Sequence, residues 1–488
     1  MTSKPPTLTR DAALEYLLSR IDYERVPRFP YRAQTLKLAR MHELLDRLGN
    51  PHHRYPIVHV AGTKGKGSTS SMIASILAAA GYRTGLYTSP HLDRIEERMM
   101  VDGHPSTGDE FVALIDRVRQ AVDVMDRLAG SNGSHEQGPT YFEITTAAAM
   151  LHFAQRPVDV AVLEVGLGGR LDSTNVCHPE VSVITSISFD HMRQLGNTLA
   201  AIAGEKAGII KTGIPVVSGV VDQEPAEVIR QRAAALQCPY FEIGRDFRLD
   251  YRGIQCVSQS SDSPMGGERL VTRLDYHEPA DIGELAIGEL EIGLLGKHQA
   301  ANATVAIATV RRLQEKGWNI PADAIRWGLA AARVPARTEV IQSHPPVILD
   351  AAHNVASIRA LVQVLDEAFA ENRSRILIFA TSRDKDLAGM LRCLLPKFST
   401  IILTRYLNNP RCVDLVDLKQ QADAAAAENT ASDCQILIEP CPAAAWSAAE
   451  SLAGPDALIC VSGSFFLVAE IRSLAEASPL RPIRAATA

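Results

Sequence analysis

Val60-Ala61-Gly62-Thr63-Lys64-Gly65-Lys66-Gly67-Ser68 is the stretch on which the fold turns. An apolar run, Ile57–Ala61, leads into it. A helical segment from about 68 to 80 leaves it, and Gly81 supplies the stop. Glycines let the backbone curl so that successive N–H groups face an anion. The following helix adds the partial positive charge of its N-terminus. In that arrangement Lys66 reaches the outer phosphates of a nucleotide and Ser68 sits near the metal. The stretch departs from the standard Walker pattern. That pattern has Gly where Val60 stands and Ser or Thr where Gly67 stands. The bland alternative is a Gly-rich turn with no ligand; the strand–loop–helix setting favours phosphate.

Outward from the loop, short apolar runs alternate with helical segments. Strands are expected at 84–88, 158–165, 181–187 and 215–219, with a helix at 142–155. Continuous apolar strands separated by helices predict a mainly parallel sheet covered on both faces. Residues 130–138, GSNGSHEQG, read as a loop. Residues 251–291 are polar and acidic, and fit either a β-excursion or a surface insertion. Helices return at 298–316 and 321–332. The segment 333–338, RVPART, reads as a linker. Beyond it the alternation restarts, with strands at 347–350, 376–380, 400–404 and 457–461 and helices at 356–370, 387–395 and the C-terminus. Two α/β domains follow, 1–333 and 334–488, as expected for 488 residues, too many for one ordinary core.

Bulk properties narrow the function. A net charge of −6 gives no broad attraction to nucleic acid or to anionic membranes. An anionic ligand must then be held by local basic groups and backbone N–H groups. No run approaches the roughly 20 apolar residues that span a bilayer, and the first residues lack the apolar core of a signal peptide. The 8 cysteines form no CxxC pair, so reduced thiols in a cytoplasmic protein are the expectation.

Three strand ends bear chemistry. Glu164 closes the strand at 158, Asp190-His191 follow the strand at 181, and Ser89 and His91 follow the strand at 84. Ligands bind outside the carboxyl ends of strands in open α/β sheets, and a glutamate there can give Mg²⁺ an oxygen. A lone histidine after a strand is more often structural, and a Ser-Pro serine is usually a turn residue. Their joint placement carries the reading. Lys206, in Glu205-Lys206-Ala207-Gly208, lies on a helix that points it at this site; an exposed lysine is the alternative.

GTKGKGS, YTSPHL, TYFE, LEVGLGGRLDSTN, SISFDH, GEKAGI, HQAANA and LDAAHN occur in this order. Together, over about 11–475, they resemble folylpolyglutamate synthase and dihydrofolate synthase, members of the Mur ligase superfamily. The resemblance implies an N-terminal P-loop ATPase domain with a mainly parallel sheet, and a smaller C-terminal Rossmann-like domain. It implies ATP-dependent joining of L-glutamate to a folate or to dihydropteroate through an acyl phosphate, in folate and one-carbon metabolism. The expected partners are small molecules acting on a monomer, without nucleic acid or membrane. The rival readings are another Mur-type amino-acid ligase and a nucleotide-binding relative without catalysis.

Position by position, the resemblance implies that Gly62, Thr63, Lys64, Gly65, Lys66, Gly67 and Ser68 bind the nucleotide phosphates. Asn302 lies on the adenine side, and Arg337 and Asp350 also meet the nucleotide. Ser89, Glu164 and His191 hold Mg²⁺. Lys206 is the position of a carbamylated lysine able to bind a second Mg²⁺. Lys66, Lys206 and His353 form the catalytic set. Thr140, Tyr141, Phe142 and Glu143, with Leu171, Asp172 and Ser173, meet the folate side. The family often has Asn in place of Lys64, and Gly in place of Ala336 and Ala351. The alanines matter only where the backbone needs a positive φ.

Overall fold

Eight strands line up in the order β4-β3-β2-β5-β1-β6-β7-β8. They are β1 (Ile57–Ala61), β2 (Thr84–Tyr87), β3 (Met99–Val101), β4 (His104–Pro105), β5 (Val160–Glu164), β6 (Val181–Ile184), β7 (Val216–Ser218) and β8 (Tyr240–Glu242). The structure is a computed structural model, and it describes residues 8–22, 38–131, 138–258, 268–279, 285–372, 374–428 and 433–477. Pairings from β2 through β8 are parallel, while β2–β3 and β3–β4 are antiparallel. β1 and β5 are buried at every position, which explains why they are apolar apart from His59 and Glu164. β1 lies between β5 and β6, so the loop after it is flanked by the carboxyl ends of both.

Helices cover the two faces. Leu38–Arg47, Gly108–Ser131 and Tyr141–Gln155 contribute Met41, Leu44, Phe111, Ile115, Ile144 and Phe153 to one apolar core with Ile57, Tyr87 and Leu163. Leu199–Lys206 and Gln223–Ala235 build another with Ala61, Val165, Ile184 and Val216. The helix after the glycine loop, Lys66–Ala79, packs on Ala322–Ala331, where a Cβ on Gly328 would collide with Ile76 and Ser75 Oγ donates to Gly328 O at 2.7 Å.

Residues expected as a β-excursion or an insertion form a three-stranded sheet, β11-β10-β9, from β9 (Arg248–Ser258), β10 (Glu268–Glu278) and β11 (Leu285–Ile292). The expected loop at 130–138 lies largely outside the described residues; its first two residues end the helix Gly108–Ser131.

A second sheet of six strands has the order β12-β13-β17-β14-β15-β16. Its strands are β12 (Glu339–Ser343), β13 (Pro346–Leu349), β14 (Ser374–Phe379), β15 (Thr400–Leu403), β16 (Gln435–Ile438) and β17 (Ala457–Ser462). All pairings are parallel except β12–β13. Leu361, Leu365, Met390, Leu391 and Leu418 pack on Leu377, Phe379, Ile401 and Leu403. The strand β16 and the helices Leu415–Glu428 and Pro442–Leu452 fill a stretch for which the sequence predicts no element. Both helices are alanine-rich, which favours helix but blurs the apolar stripe.

The chain divides into two compact units: Met1–Asp250, Leu274–Glu291 and Ala300–Ala332 in one, and Tyr251–Arg273, Ile292–Gln299 and Arg333–Ala488 in the other. Among the described residues no helix is long and apolar enough to cross a membrane.

Candidate active site

The glycine loop is built by its neighbours. Gly62 has φ 153° and Gly65 φ 82°. A Cβ on Gly62 would collide with Thr185 Oγ1, and one on Gly65 with the Asn302 side chain. Neither position therefore admits a side chain. The stretch after β6 clasps the loop. Thr63 N–H donates to Ser186 O at 2.7 Å, Lys64 N–H to Ser186 Oγ at 3.0 Å, and Thr185 Oγ1 to Lys64 O at 2.7 Å. Ser188 N–H donates to Thr63 Oγ1 at 3.1 Å. The N–H groups of Thr63 and Lys64 are thus already engaged. The cradle for an anion begins at Gly65, where the helix starts, with Lys66 and Gly67 in its first turn and Ser68 buried beneath.

Around this cradle the strand ends converge. Glu164, 4% exposed, accepts a hydrogen bond from Ser89 N–H at 3.1 Å. A Cβ on Gly67 would lie 3.5 Å from Glu164 Oε2. Lys206 Nζ is buried and donates to Gly62 O at 2.9 Å. Burial, and after it the nearby Lys66 cation, lowers the Lys206 pKa from 10.5 to about 7. Lys64 Nζ lies 2.5 Å from Asp190 Oδ2. His191 follows with a half-exposed ring 3.9 Å from Asp190 Oδ1, its backbone left-handed at φ 47°. The sequence around Asp190 suggests no role for it, yet its ion pair with Lys64 joins two loops more than a hundred residues apart.

These groups suit Mg²⁺ in kind. Mg²⁺ takes one or two carboxylates and fills its remaining positions with phosphate oxygens and water. Glu164 presents a buried carboxylate beside Gly67 and Ser89. Among the described residues no group of three or more His, Cys, Asp or Glu side chains forms a self-sufficient metal cage.

The residues expected on the acceptor side fall into two groups. Thr140 caps the helix Tyr141–Gln155 in a capping box with Glu143, and Arg40 Nε donates to both Glu143 oxygens at 2.9 Å. Tyr141 is buried under the Arg98 guanidinium, 5.4 Å from its ring centroid. Phe142 is partly exposed and packs on Gly166. In the second group Leu171, Asp172 and Ser173 are buried. Asp172 accepts from Leu167 N–H and Thr174 N–H, each at 3.0 Å. Its pKa is raised by burial and pulled back by these hydrogen bonds.

In the other unit Arg337, Asp350 and His353 share a neighbourhood. Arg337 lies over the Phe465 ring at 4.7 Å, and the His353 ring is 6.2 Å from the same ring. His353 Nδ1 meets Ala351 O at 2.9 Å. Asp350 is buried, accepting from Thr338 N–H at 2.7 Å and Ala352 N–H at 2.8 Å. Burial raises its pKa, and Arg337 is the main opposing influence. Ala336 has φ 57°, so the alanine occupies a left-handed position. The positive-φ positions do not include Ala351.

Two domain families match the chain: the Mur ligase middle domain over residues 60–310 and the Mur ligase glutamate ligase domain over 336–465. Fold and cradle are therefore those of a Mur-type ligase. A Bacillus subtilis dihydrofolate synthase/folylpolyglutamate synthase is 35% identical over 89% of this chain and 94% of its own length. The Mycobacterium tuberculosis folylpolyglutamate synthase structure complexed with ADP and AMPPCP superposes with a TM-score of 0.79 at 31% identity, covering 95% of this chain and 98% of that one. An Escherichia coli FolC structure in complex with DHPP and ADP gives 0.75 at 28%, covering 96% and 98%. The chain belongs to the folylpolyglutamate synthase/dihydrofolate synthase family.

Proposed function

We propose that the protein joins L-glutamate to a folate acceptor at the expense of ATP. The observation that carries this is the convergence of Glu164, Ser89 and Lys206 on the glycine loop. The acceptor carboxylate and the γ-phosphate are both anionic, so their approach must be compensated. A carboxylate oxygen attacks the γ-phosphorus, and the bond to ADP breaks. The glutamate amine then attacks the acyl carbon, loses a proton, and phosphate leaves. Lys66 stands at the helix start where it meets the outer phosphates, and the N–H groups from Gly65 onward receive them. Glu164, Ser89 and His191 would hold Mg²⁺. When bound, the metal supplies positive charge shared among phosphate oxygens.

Lys206 is suited to carbamylation. An amine with a pKa of about 7 is substantially neutral at neutral pH, and only the neutral amine attacks CO₂. The product is a carbamate with release of a proton, which turns a buried cation into an anion beside the phosphate site. Asn302, packed against Gly65, would face the adenine side. Arg337, Asp350 and His353 would meet the nucleotide, and Phe142 with Leu171, Asp172 and Ser173 the folate. Residues 334–488 would act as the glutamate ligase domain, and the enzyme would work as a cytoplasmic monomer.

The double name of the Bacillus subtilis relative favours a second acceptor, dihydropteroate. The test supplies purified protein with ATP, Mg²⁺ and labelled glutamate, and either dihydropteroate or a monoglutamyl folate, with a UDP-muramoyl acceptor in a parallel reaction. Labelled product from either acceptor, matched by ADP, is expected. ADP release without labelled product, or product only from a UDP-muramoyl acceptor, contradicts the reading.

A further inference from the structure

β1 carries one polar side chain in an otherwise apolar core strand. His59 is fully buried between Leu163 of β5 and Ser182 of β6. Its Nε2 lies 2.8 Å from Thr174 Oγ1, and Thr174 Oγ1 lies 2.5 Å from Asp172 Oδ1. The protons can be assigned. Asp172 also receives the N–H groups of Leu167 and Thr174, the pattern of an ionised, acceptor-only carboxylate. The Thr174 hydroxyl therefore donates to Asp172 and accepts from His59 Nε2–H. That tautomer leaves Nδ1 bare, and this buried nitrogen has no hydrogen-bond partner among the described residues. An apolar residue would pack here without that cost, so packing alone does not explain a histidine.

The relay ends in the loop that leads from Glu164 toward Lys206. Arg170 N–H donates to Glu205 O at 2.8 Å, and Asn175 Nδ2 donates to Arg170 O at 3.0 Å and Gly208 O at 3.1 Å. Asp172 closes the loop on itself through Leu167. One edge of the loop is thus tied to the Lys206 helix, and His59 ties the other to the central strand. We propose that His59 is a positioning residue, which acts through Thr174 to fix Asp172 and the loop 166–175 for the acceptor. The role for the acceptor rests on the ligase reading above; the relay itself does not.

Two measurements test it on the full-length protein, using His59→Leu, His59→Gln and Thr174→Val. Gln places an amide N–H close to where the imidazole Nε2–H stands, so it preserves the donor; Leu does not. Hydrogen exchange of peptides covering 166–177, without ligands, is expected to rise at least tenfold in His59→Leu and Thr174→Val and to stay near wild type in His59→Gln. In steady state, the KM for monoglutamyl folate is expected to rise about tenfold in the first two variants, with the KM for ATP within twofold. The double variant His59→Leu/Thr174→Val is expected to be no worse than either single one, since both cut the same path. Parallel losses in both KM values, or a Gln variant that behaves like Leu, would overturn the positioning role. If His59→Leu does not fold, Thr174→Val carries the same comparison. A wild-type protein that ligates no folate refutes the ligase reading instead. The exchange data then decide the relay, and unchanged protection in His59→Leu overturns it.

Discussion

Replacing Lys206 by methionine keeps the stem packed and removes the buried amine. The drop in pKa from 10.5 to about 7 corresponds to about 5 kcal/mol of disfavour for the charged form in the fold. Its sign follows from proton binding. Between about pH 7 and 10.5 the unfolded chain holds a proton on Lys206 that the folded chain lacks, so stability rises with pH across that window. Below pH 7 both states are protonated and the whole cost is present. The amine also donates to Gly62 O, a hydrogen bond contributing about 1 kcal/mol that methionine loses. Lys206→Met is therefore expected to be more stable than wild type by about 2–4 kcal/mol at pH 6, once the figure of about 5 kcal/mol is discounted for relaxation around the buried charge and for the lost hydrogen bond. By pH 10 the gain has vanished, because the remaining disfavour, under about 1 kcal/mol, is balanced by the lost hydrogen bond. Guanidinium unfolding of both proteins at pH 6, 8 and 10, in buffers freed of CO₂, reads this directly, because other titrating groups cancel in the difference. A wild-type-to-variant difference that is constant over pH 6–10 refutes the reasoning. Bicarbonate added at pH 8 should shift the wild-type midpoint and leave the variant unchanged.

Three further outcomes are expected. Lys66→Ala should lower kcat by about a hundredfold or more, the scale of one lost charge-stabilising contact, with an unchanged circular dichroism spectrum; near-normal turnover counts against the phosphate assignment. Arg40→Leu leaves the buried Glu143 carboxylate without its guanidinium and should cost about 3 kcal/mol in denaturant unfolding. A loss under 1 kcal/mol would show that Thr140 alone suffices to hold Glu143. Ala336→Gly relieves a left-handed alanine, yet it gives up a buried methyl and adds unfolded-chain freedom. These effects are of similar size, about 1 kcal/mol each, so one gain against two losses leaves the variant about 1 kcal/mol less stable in denaturant unfolding, whereas Ala336→Val should destabilise more.

Much of the fold could be read from runs of residues with a clear period or clear stops. β1, β5, β6 and β17 are apolar but for one buried polar residue each, and the Thr140–Glu143 capping box marks its helix start directly. Helices such as Leu415–Glu428 left no comparable stripe. The site was legible where a residue stood at a strand end, as Glu164 does. It was not legible where the chemistry depends on distant pairs. Nothing near Lys64 announces Asp190, nothing near Glu143 announces Arg40, and the His59–Thr174 contact spans 115 residues. The engagement of the Thr63 and Lys64 N–H groups by Ser186 was hidden for the same reason: a glycine-rich motif shows which residues can curl, and only the fold shows which donors remain. The positive φ at Ala336 could be raised only as a question, since alanine gives no sign of a left-handed backbone.

The central claim is that ATP activates a carboxylate by phosphorylating it. An acceptor folate carrying ¹⁸O in all the carboxylate oxygens of its glutamate, incubated with ATP, Mg²⁺, glutamate and the enzyme, tests it by mass analysis of the inorganic phosphate. Transfer of one ¹⁸O per phosphate released is the predicted result, because the attacking carboxylate oxygen departs with phosphorus. Amide formed with phosphate free of label would contradict it.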